Sequence, residues 1–478
     1  MMKPIPSKIF NFLFILSFGV FSTLLKADEK KWPTQDWETN PNFKEAHEKE
    51  IAAFEAALFP NDEKSTTKTD GLVLIKDGKI IYEKYSNGYK AENRHSTWSI
   101  TKSLMNSLAA IAVRDKKLAL EDSICKYVKI KDAGNRCDVK VKHLVEWSSG
   151  YQWSEEYEAS GSPTESSVMA MLYGVGHKDM ATFVGAHPVQ ETPGQHWEYS
   201  SGELVLLASV LRGAYGGKDF DGVPKKDLFD VLGMKTALVE RDNAGTLVGA
   251  SYLFTTPRDL AKYGFLFLND GVWEGKQVLP QDWVKYSTTP TDAYLSRAKE
   301  LGVENAAGAL WWVNRKVRDL NNRRSWPGLP EDAYAAQGHW GQSLIVVPSL
   351  NLVAVRTAEE KQKGIGMEKY TAELGKLLGV KAEVEEAAVP LKPLSHGKKT
   401  KPKAYKNMEV TIGLGFMAKE MCSCLFVAKR TEKECRNYVK MQQLDPTIVV
   451  KEKSVEASKV IFKETASFAG EELGCVLN

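Results

Sequence analysis

Two hairpin-like runs lie far apart along the chain, and together they limit the folds open to it. "GLVLIKDGKIIYEKYSNGY" (Gly71–Tyr89) sets two β-rich runs on either side of Asp77-Gly78, a pair suited to a two-residue turn with positive φ. "SLIVVPSLNLVAVRT" (Ser343–Thr357) repeats the pattern, with Pro348–Asn351 as its turn. Between them the pattern is mainly helical: Ser99–Arg114, "VKHLVEWSSG" ending at Gly150, "GELVLLASVLRGAYG", and "TTPRDLAKYGFLFLNDG". In the last of these Thr255 or Thr256 caps, Pro257 suits the first turn and Gly271 stops the helix. "GMEKYTAELGKLLGV" adds a helix with Met367, Tyr370, Leu374, Leu377 and Leu378 at helical spacing. Early and late strands with helices between them predict an α+β fold. An antiparallel sheet flanked by helices would pack against a mainly helical subdomain, with a cleft between the two lobes.

The ends of the chain read differently. Lys3 and Lys8 precede a charge-free apolar stretch, Ile9–Leu25, and Ala27 offers a cleavage point, so residues 1–27 are expected to be a secretory signal peptide. No later apolar run of membrane-spanning length is apparent, so the rest is expected to be exported into the periplasm or the extracellular space. Residues 28–388 form the expected main domain. Residues 389–406, rich in Lys and Pro, read as an extended linker. Residues 407–478 carry Cys422, Cys424, Cys435 and Cys475, as expected of a small module that relies on disulfides. The 6 cysteines of this 478-residue chain fit an oxidising compartment. Cys125 and Cys137 lie in one local loop and are expected to pair, while the other four allow three connectivities. A net charge of +3 is small for this length and gives no electrostatic case for nucleic acid. The basic linker or the C-terminal module could instead contact the cell envelope.

The chemistry points to "RHSTWSITKSLMNSLAAIAVRDKKLALED" (Arg94–Asp122). S-x-x-K by itself says little, because it recurs at Ser65/Lys68, Ser123/Lys126, Ser296/Lys299 and Ser395/Lys398. Only Ser99 opens a long apolar helix, whose stripe is Ile100, Leu104, Leu108, Ile111 and Ala112. Positions i and i+3 share a helix face, so Lys102 can reach Ser99 beside a packed interior. Desolvation lowers a lysine's pKa, and a neutral Lys102 could take the Ser99 proton as the hydroxyl attacks a carbonyl. The backbone N–H of Ser99, at the helix start, is a candidate oxyanion donor. The plain alternative is a capping Ser and a solvated Lys. "PGQHWEYSSGELVLL" places Tyr199 at another loop-to-helix junction, where a phenol near a lysine can relay a proton and is otherwise an ordinary half-buried aromatic. In "AAQGHWGQSLIVVP", Gly338 and Gly341 form a plain turn or else let a carbonyl substrate approach the backbone.

In this order and spacing these stretches, with "VKHLVEWSSGYQWSEEY" and "SYLFTTPRDLAKYGFLFLNDGVWEGKQVLP", resemble the serine β-lactamase-like hydrolases. The closer likeness is to the class C-type esterase and 6-aminohexanoate-dimer hydrolase branch, over roughly residues 70 to 380. The resemblance implies that Ser99 is the acylated nucleophile, Lys102 its base and Tyr199 the proton relay, with Tyr157 of "WSEEY" touching substrate. Two motifs depart from the family pattern. Ser201, a candidate substrate contact, stands where the relay motif commonly has Asn, and no Lys-Thr/Ser-Gly triplet occurs. If Ala336-Gln337-Gly338 replaces that triplet, His339 gives the second oxyanion N–H, and Gly338 and Trp340 border the substrate. If His339-Trp340-Gly341 replaces it, Gln342 does. The first register is preferred. The missing cation favours an ester or amide substrate without a required carboxylate, although a protonated His339 would supply charge. A β-lactamase or D-Ala-D-Ala carboxypeptidase is the second reading. The third is a binding protein on a retired hydrolase scaffold. The chain has no G-x-S-x-G and no H-E-x-x-H, and neither a metal nor an organic cofactor is expected.

Overall fold

The computed structural model describes residues 31–62, 64–157, 163–301, 306–316, 324–381, 405, 408–440 and 444–478. The expected signal peptide and nearly all of the expected linker therefore lie outside the described residues.

The early hairpin forms where its turn residues place it. Thr69–Lys76 and Lys79–Tyr85 pair antiparallel, and Asp77 and Gly78 both take positive φ (52° and 77°). Such a turn matches the twist of the two strands. The late hairpin pairs Gln342–Val347 with Leu352–Ala358, closed through Pro348–Leu350 and a left-handed Asn351. Leu352–Ala358 then pairs antiparallel with Thr69–Lys76, with Ala354 opposite Leu74, so early and late chain meet in the middle of one sheet. Tyr334–Gly338, Trp312–Val313 and Ala306–Ala307 extend that sheet on one side, and Glu38–Thr39 joins the other edge in parallel, for 8 strands in all.

Alternation along the central strands shows why the sheet is covered on both faces. Val73, Ile75, Val353 and Val355 enter one apolar cluster, while Leu72, Leu74, Leu352 and Ala354 enter the other. The Pro257–Leu268 helix, capped by the Thr256 side chain, lies on the first face. The Glu48–Leu58 and Met367–Leu377 helices lie on the second. The helical lobe is built around Ile100–Arg114 and Ser201–Ala214, whose apolar residues belong to the first cluster. Each fully buried aliphatic side chain there contributes about 1.5–3 kcal/mol.

The described residues after 407 include a helix, Glu409–Cys422, against a 4-stranded antiparallel sheet of Thr447–Lys451, Ser454–Lys459, Phe462–Phe468 and Cys475–Leu477. Disulfides join Cys422 to Cys475 and Cys424 to Cys435, and Cys125 pairs with Cys137. Residues Trp32–Asn478 make one compact unit. Ile412, Leu414, Met417 and Val455 share the apolar cluster of Leu104 and Leu108. The helical run Glu409–Val427 is apolar and long enough to cross a membrane, contrary to the sequence reading, but it is mostly buried inside the fold.

A buried ion pair ties this segment to the body. Lys419 Nζ bonds Glu240, which also accepts from Ser423 Oγ (3.0 Å) and from the Cys475 N–H (2.6 Å). The Lys419 ammonium sits 3.8 Å from the centroid of the Tyr252 ring. Removing one partner of such a pair strands the other charge away from water. Lys419→Ala is expected to lower unfolding stability by about 3–5 kcal/mol, measured by urea denaturation, and more than Glu240→Gln/Lys419→Met together.

Candidate active site

The chain reaches Ser99 through a pinned and strained turn. His95–Ser96 pairs with Leu253–Thr255, the Thr97 N–H and hydroxyl both donate to Leu253 O at 2.9 Å, and Thr101 Oγ1 accepts from the Leu253 N–H at 3.0 Å. Trp98 then takes φ 49°, a left-handed conformation that costs a bulky residue about 1–3 kcal/mol. Packing holds it there: Trp98 is buried against the rings of Tyr252, His339 and Trp340. The turn delivers Ser99 to the N-cap of the Ile100–Arg114 helix, yet its side chain makes no capping bond.

The Ser99 hydroxyl meets Lys102 instead. Lys102 Nζ lies 2.9 Å from Ser99 Oγ and donates to Ala250 O at 2.9 Å. Lys102 is only 1% exposed, so it is not the solvated lysine of the plain alternative. Burial lowers its pKa to about 8, while the nearby Glu155 carboxylate opposes the shift. Its Nζ is 4.9 Å from the centroid of the Tyr199 ring. Burial holds the Tyr199 pKa above the usual phenol range, Glu155 raises it further, and the Ser99 hydroxyl counters. The phenol therefore stays protonated near neutral pH and can donate.

A cavity of about 210 Å³ opens on this group, lined by Ser99, Tyr157, Tyr199, Trp312, Gln337, Gly338 and His339. Tyr199 stacks on Trp312 (centroids 5.8 Å apart), and Tyr157 stacks on His339 (5.0 Å). Gly338 ends a strand that passes against the backbone ahead of Ser99, and a Cβ there would sit 2.2 Å from Thr97 O. Any larger residue would push this strand away from the backbone that leads into Ser99. Among the described residues, no Lys or Arg lines the cavity. Buried Arg356, whose Nη1 donates to Gly341 O, is paired with Glu360.

The structure thus brings Ser99, Lys102, Tyr199, Tyr157, Gly338 and His339 together. Ser201 and Trp340 are not in the cavity wall. Ser201 is fully buried, and its hydroxyl donates to Glu155. Trp340 turns back onto Trp98 and onto Tyr438 of the C-terminal segment. Gln342, the other candidate oxyanion residue, is also outside the wall, and its side chain bonds the Ala358 backbone. Sequence reasoning missed Glu155, Trp312 and Ala250. Glu155 carried one signal, a carboxylate placed between Trp153 and Tyr157 in a strongly aromatic stretch.

Two outcomes check this geometry. Activity of the wild type is expected to rise with pH through about 8, because the base works only when Lys102 is neutral, as a pH profile of kcat/KM would record. Gly338→Ala is expected to lower kcat/KM at least about 100-fold while leaving far-UV circular dichroism unchanged.

Comparison with known proteins adds the following. A family profile described as Beta-lactamase matches residues 54–374. An uncharacterised protein of Alkalihalophilus pseudofirmus is 22% identical over 59% of this chain and 81% of its own length. The 6-aminohexanoate-dimer hydrolase of Paenarthrobacter ureafaciens is 20% identical over 46% of this chain and 57% of its own length. Among solved structures, EstCE1, a hydrolase with promiscuous acyltransferase activity, superposes with TM-score 0.52 at 13% identity, covering 70% of this chain and 99% of that one. A class C beta-lactamase superposes with TM-score 0.50 at 16% identity over 71% and 98%.

Proposed function

The chain belongs to the beta-lactamase family, whose fold carries hydrolases, and from that premise we propose that it is an exported serine hydrolase of esters or amides. The observation that carries the reading is the contact of 2.9 Å between Ser99 Oγ and the Nζ of a lysine shut away from water. Neutral Lys102 takes the Ser99 proton as the oxygen lone pair forms a bond to the substrate carbonyl carbon. The backbone N–H groups of Ser99 and His339 receive the developing oxyanion. The proton passes through Tyr199 to the departing alkoxide or amine as the acyl bond to the leaving group breaks. Water then attacks the acyl-enzyme and gives its proton back along the same groups, restoring Ser99 and Lys102. Tyr157 and Trp312 offer aromatic surface to the acyl or leaving group.

Among the described residues the cavity wall holds no Lys or Arg, which supports substrates that need no carboxylate anchor over a β-lactamase or D-Ala-D-Ala carboxypeptidase reading. Three disulfides support export to an oxidising compartment. The deciding experiment is intact-protein mass spectrometry after treatment with a fluorophosphonate. One adduct mapped to Ser99, and none on Ser99→Ala, is expected; an unlabelled wild type would remove the acyl-enzyme. A short-chain nitrophenyl ester is expected to turn over faster than a chromogenic cephalosporin, and Lys102→Ala to lose about 10²–10⁴-fold in kcat.

A further inference from the structure

One carboxylate beside the pocket collects an unusual set of donors. Glu155 accepts from Trp153 Nε1 at 2.6 Å, from the Tyr157 hydroxyl at 2.8 Å, from the Ser201 N–H at 2.8 Å and from the Ser201 hydroxyl. Every partner in that set can donate, which is the surrounding an anion requires. The donors come from two stretches. Trp153 and Tyr157 flank Glu155 in the loop, whereas Ser201 is the first residue of the Ser201–Ala214 helix and lies two residues beyond Tyr199. The carboxylate therefore joins the pocket wall at Tyr157 to the helix start that presents Tyr199.

Its charge also reaches the reacting groups. It acts electrostatically on Lys102 of the Ile100–Arg114 helix, on Tyr199 just before the Ser201–Ala214 helix, on Glu203 in that helix's first turn, and on Tyr157 in its own loop. The His339 ring, stacked on Tyr157, closes the same side. Glu203 is deeply buried and bonded to Ser149, and desolvation pushes its carboxyl well above the usual range. Of the two acids, Glu155 is the one whose oxygens meet donors from both stretches.

We propose that Glu155 is a positioning residue of the reaction: it clamps Ser201, and so Tyr199, against Lys102, and supplies the negative charge that stabilises Lys102 once it has taken the Ser99 proton. The inference rests on the serine hydrolase reading above. No proton moves on or off Glu155. The hydroxyl proton travels from Ser99 to Lys102, and the new ammonium forms in a dry site where a fixed anion is worth more than in water. The same anion opposes the deprotonation that makes Lys102 a base, so it costs activity at low pH while favouring the transition state. These opposed effects give Glu155 a signature that a merely structural residue lacks.

The test uses the full chain and follows kcat/KM for a nitrophenyl ester against pH, with fluorophosphonate labelling of Ser99 and thermal unfolding alongside. Glu155→Gln keeps the shape and removes the charge. Its acidic limb is expected at lower pH than in the wild type, with a plateau about tenfold to a hundredfold lower. Glu155→Asp keeps the charge and shortens the reach, so its limb should stay in place while the plateau falls. Ser201→Ala should likewise lower the plateau without moving the limb. A Glu155→Gln limb that coincides with the wild-type limb overturns the electrostatic role. An unchanged plateau in Glu155→Asp and Ser201→Ala overturns the clamp. Should Glu155→Gln fail to fold, the Asp and Ala variants still decide the clamp, and the labelling rate of Ser99 against pH in Glu155→Asp decides the charge, since a limb displaced there despite the retained carboxylate refutes it. An unlabelled wild type fails separately, because it removes Ser99 as the nucleophile and leaves nothing for Glu155 to position.

Discussion

The site depends on keeping an amine dry at the first turn of a helix. In water Lys102 would hold its proton and Ser99 would be an unremarkable alcohol. Inside the fold, burial brings the amine to about 8 while Ala250 O and Ser99 Oγ remain its hydrogen-bond partners. Burying a charge costs several kcal/mol, and a lysine can avoid much of that cost by giving up its proton. The helix packing that stabilises the lobe and the chemistry of the pocket therefore share one cause. The apolar stripe of Ile100, Leu104, Leu108 and Ile111 pulls the helix inward and takes Lys102 with it.

Dryness without alignment would do nothing, and alignment comes from strain held by packing. Trp98 keeps a left-handed backbone because its indole is enclosed by Tyr252, His339 and Trp340. Two of those three walls are backed by the C-terminal segment. Tyr252 donates to Glu420 and lies under the Lys419 ammonium, and Trp340 rests edge-on against Tyr438. The cysteine-rich end of the chain thus supports the turn that places Ser99. Its disulfides start from Cys422 and Cys424, on either side of Ser423 and just past Lys419, the two residues that meet Glu240 in the body.

Much of this was legible before any coordinates. Asp77-Gly78 announced a hairpin because few dipeptides accept two positive φ values, and Thr256-Pro257 announced a helix start because both residues fit only there. Ser99 and Lys102 stood out from other S-x-x-K pairs through the apolar stripe behind them. What stayed hidden depends on contacts between distant parts of the chain. Ser201 looked like a substrate contact because it replaces a family Asn, but its hydroxyl is taken by Glu155, 46 positions away. Trp340 looked like pocket wall by adjacency to His339, but its positive φ (61°) turns the indole the other way. Periodicity cannot report either fact. The pairing of the last four cysteines was equally out of reach, since it follows from which helix end meets which strand.

The distribution of charge around the cavity completes the argument about substrate. A family pattern with a fixed cation at the third motif suits an anionic ligand, and this chain has Ala336-Gln337-Gly338 in the preferred register. Arg356, which donates to the Gly341 carbonyl just past that strand end, is already matched by Glu360, so it has little field left to offer a ligand. Glu155, bonded to the wall residue Tyr157, adds negative charge. A substrate carboxylate entering here would lose its hydration and meet an anion rather than a cation, which costs several kcal/mol. A neutral ester or amide loses much less, and aromatic surface at Tyr157, Tyr199 and Trp312 recovers part of it. On the proposed reading, the same balance that keeps Lys102 neutral near pH 8 disfavours the ligands for which a cationic third motif is built.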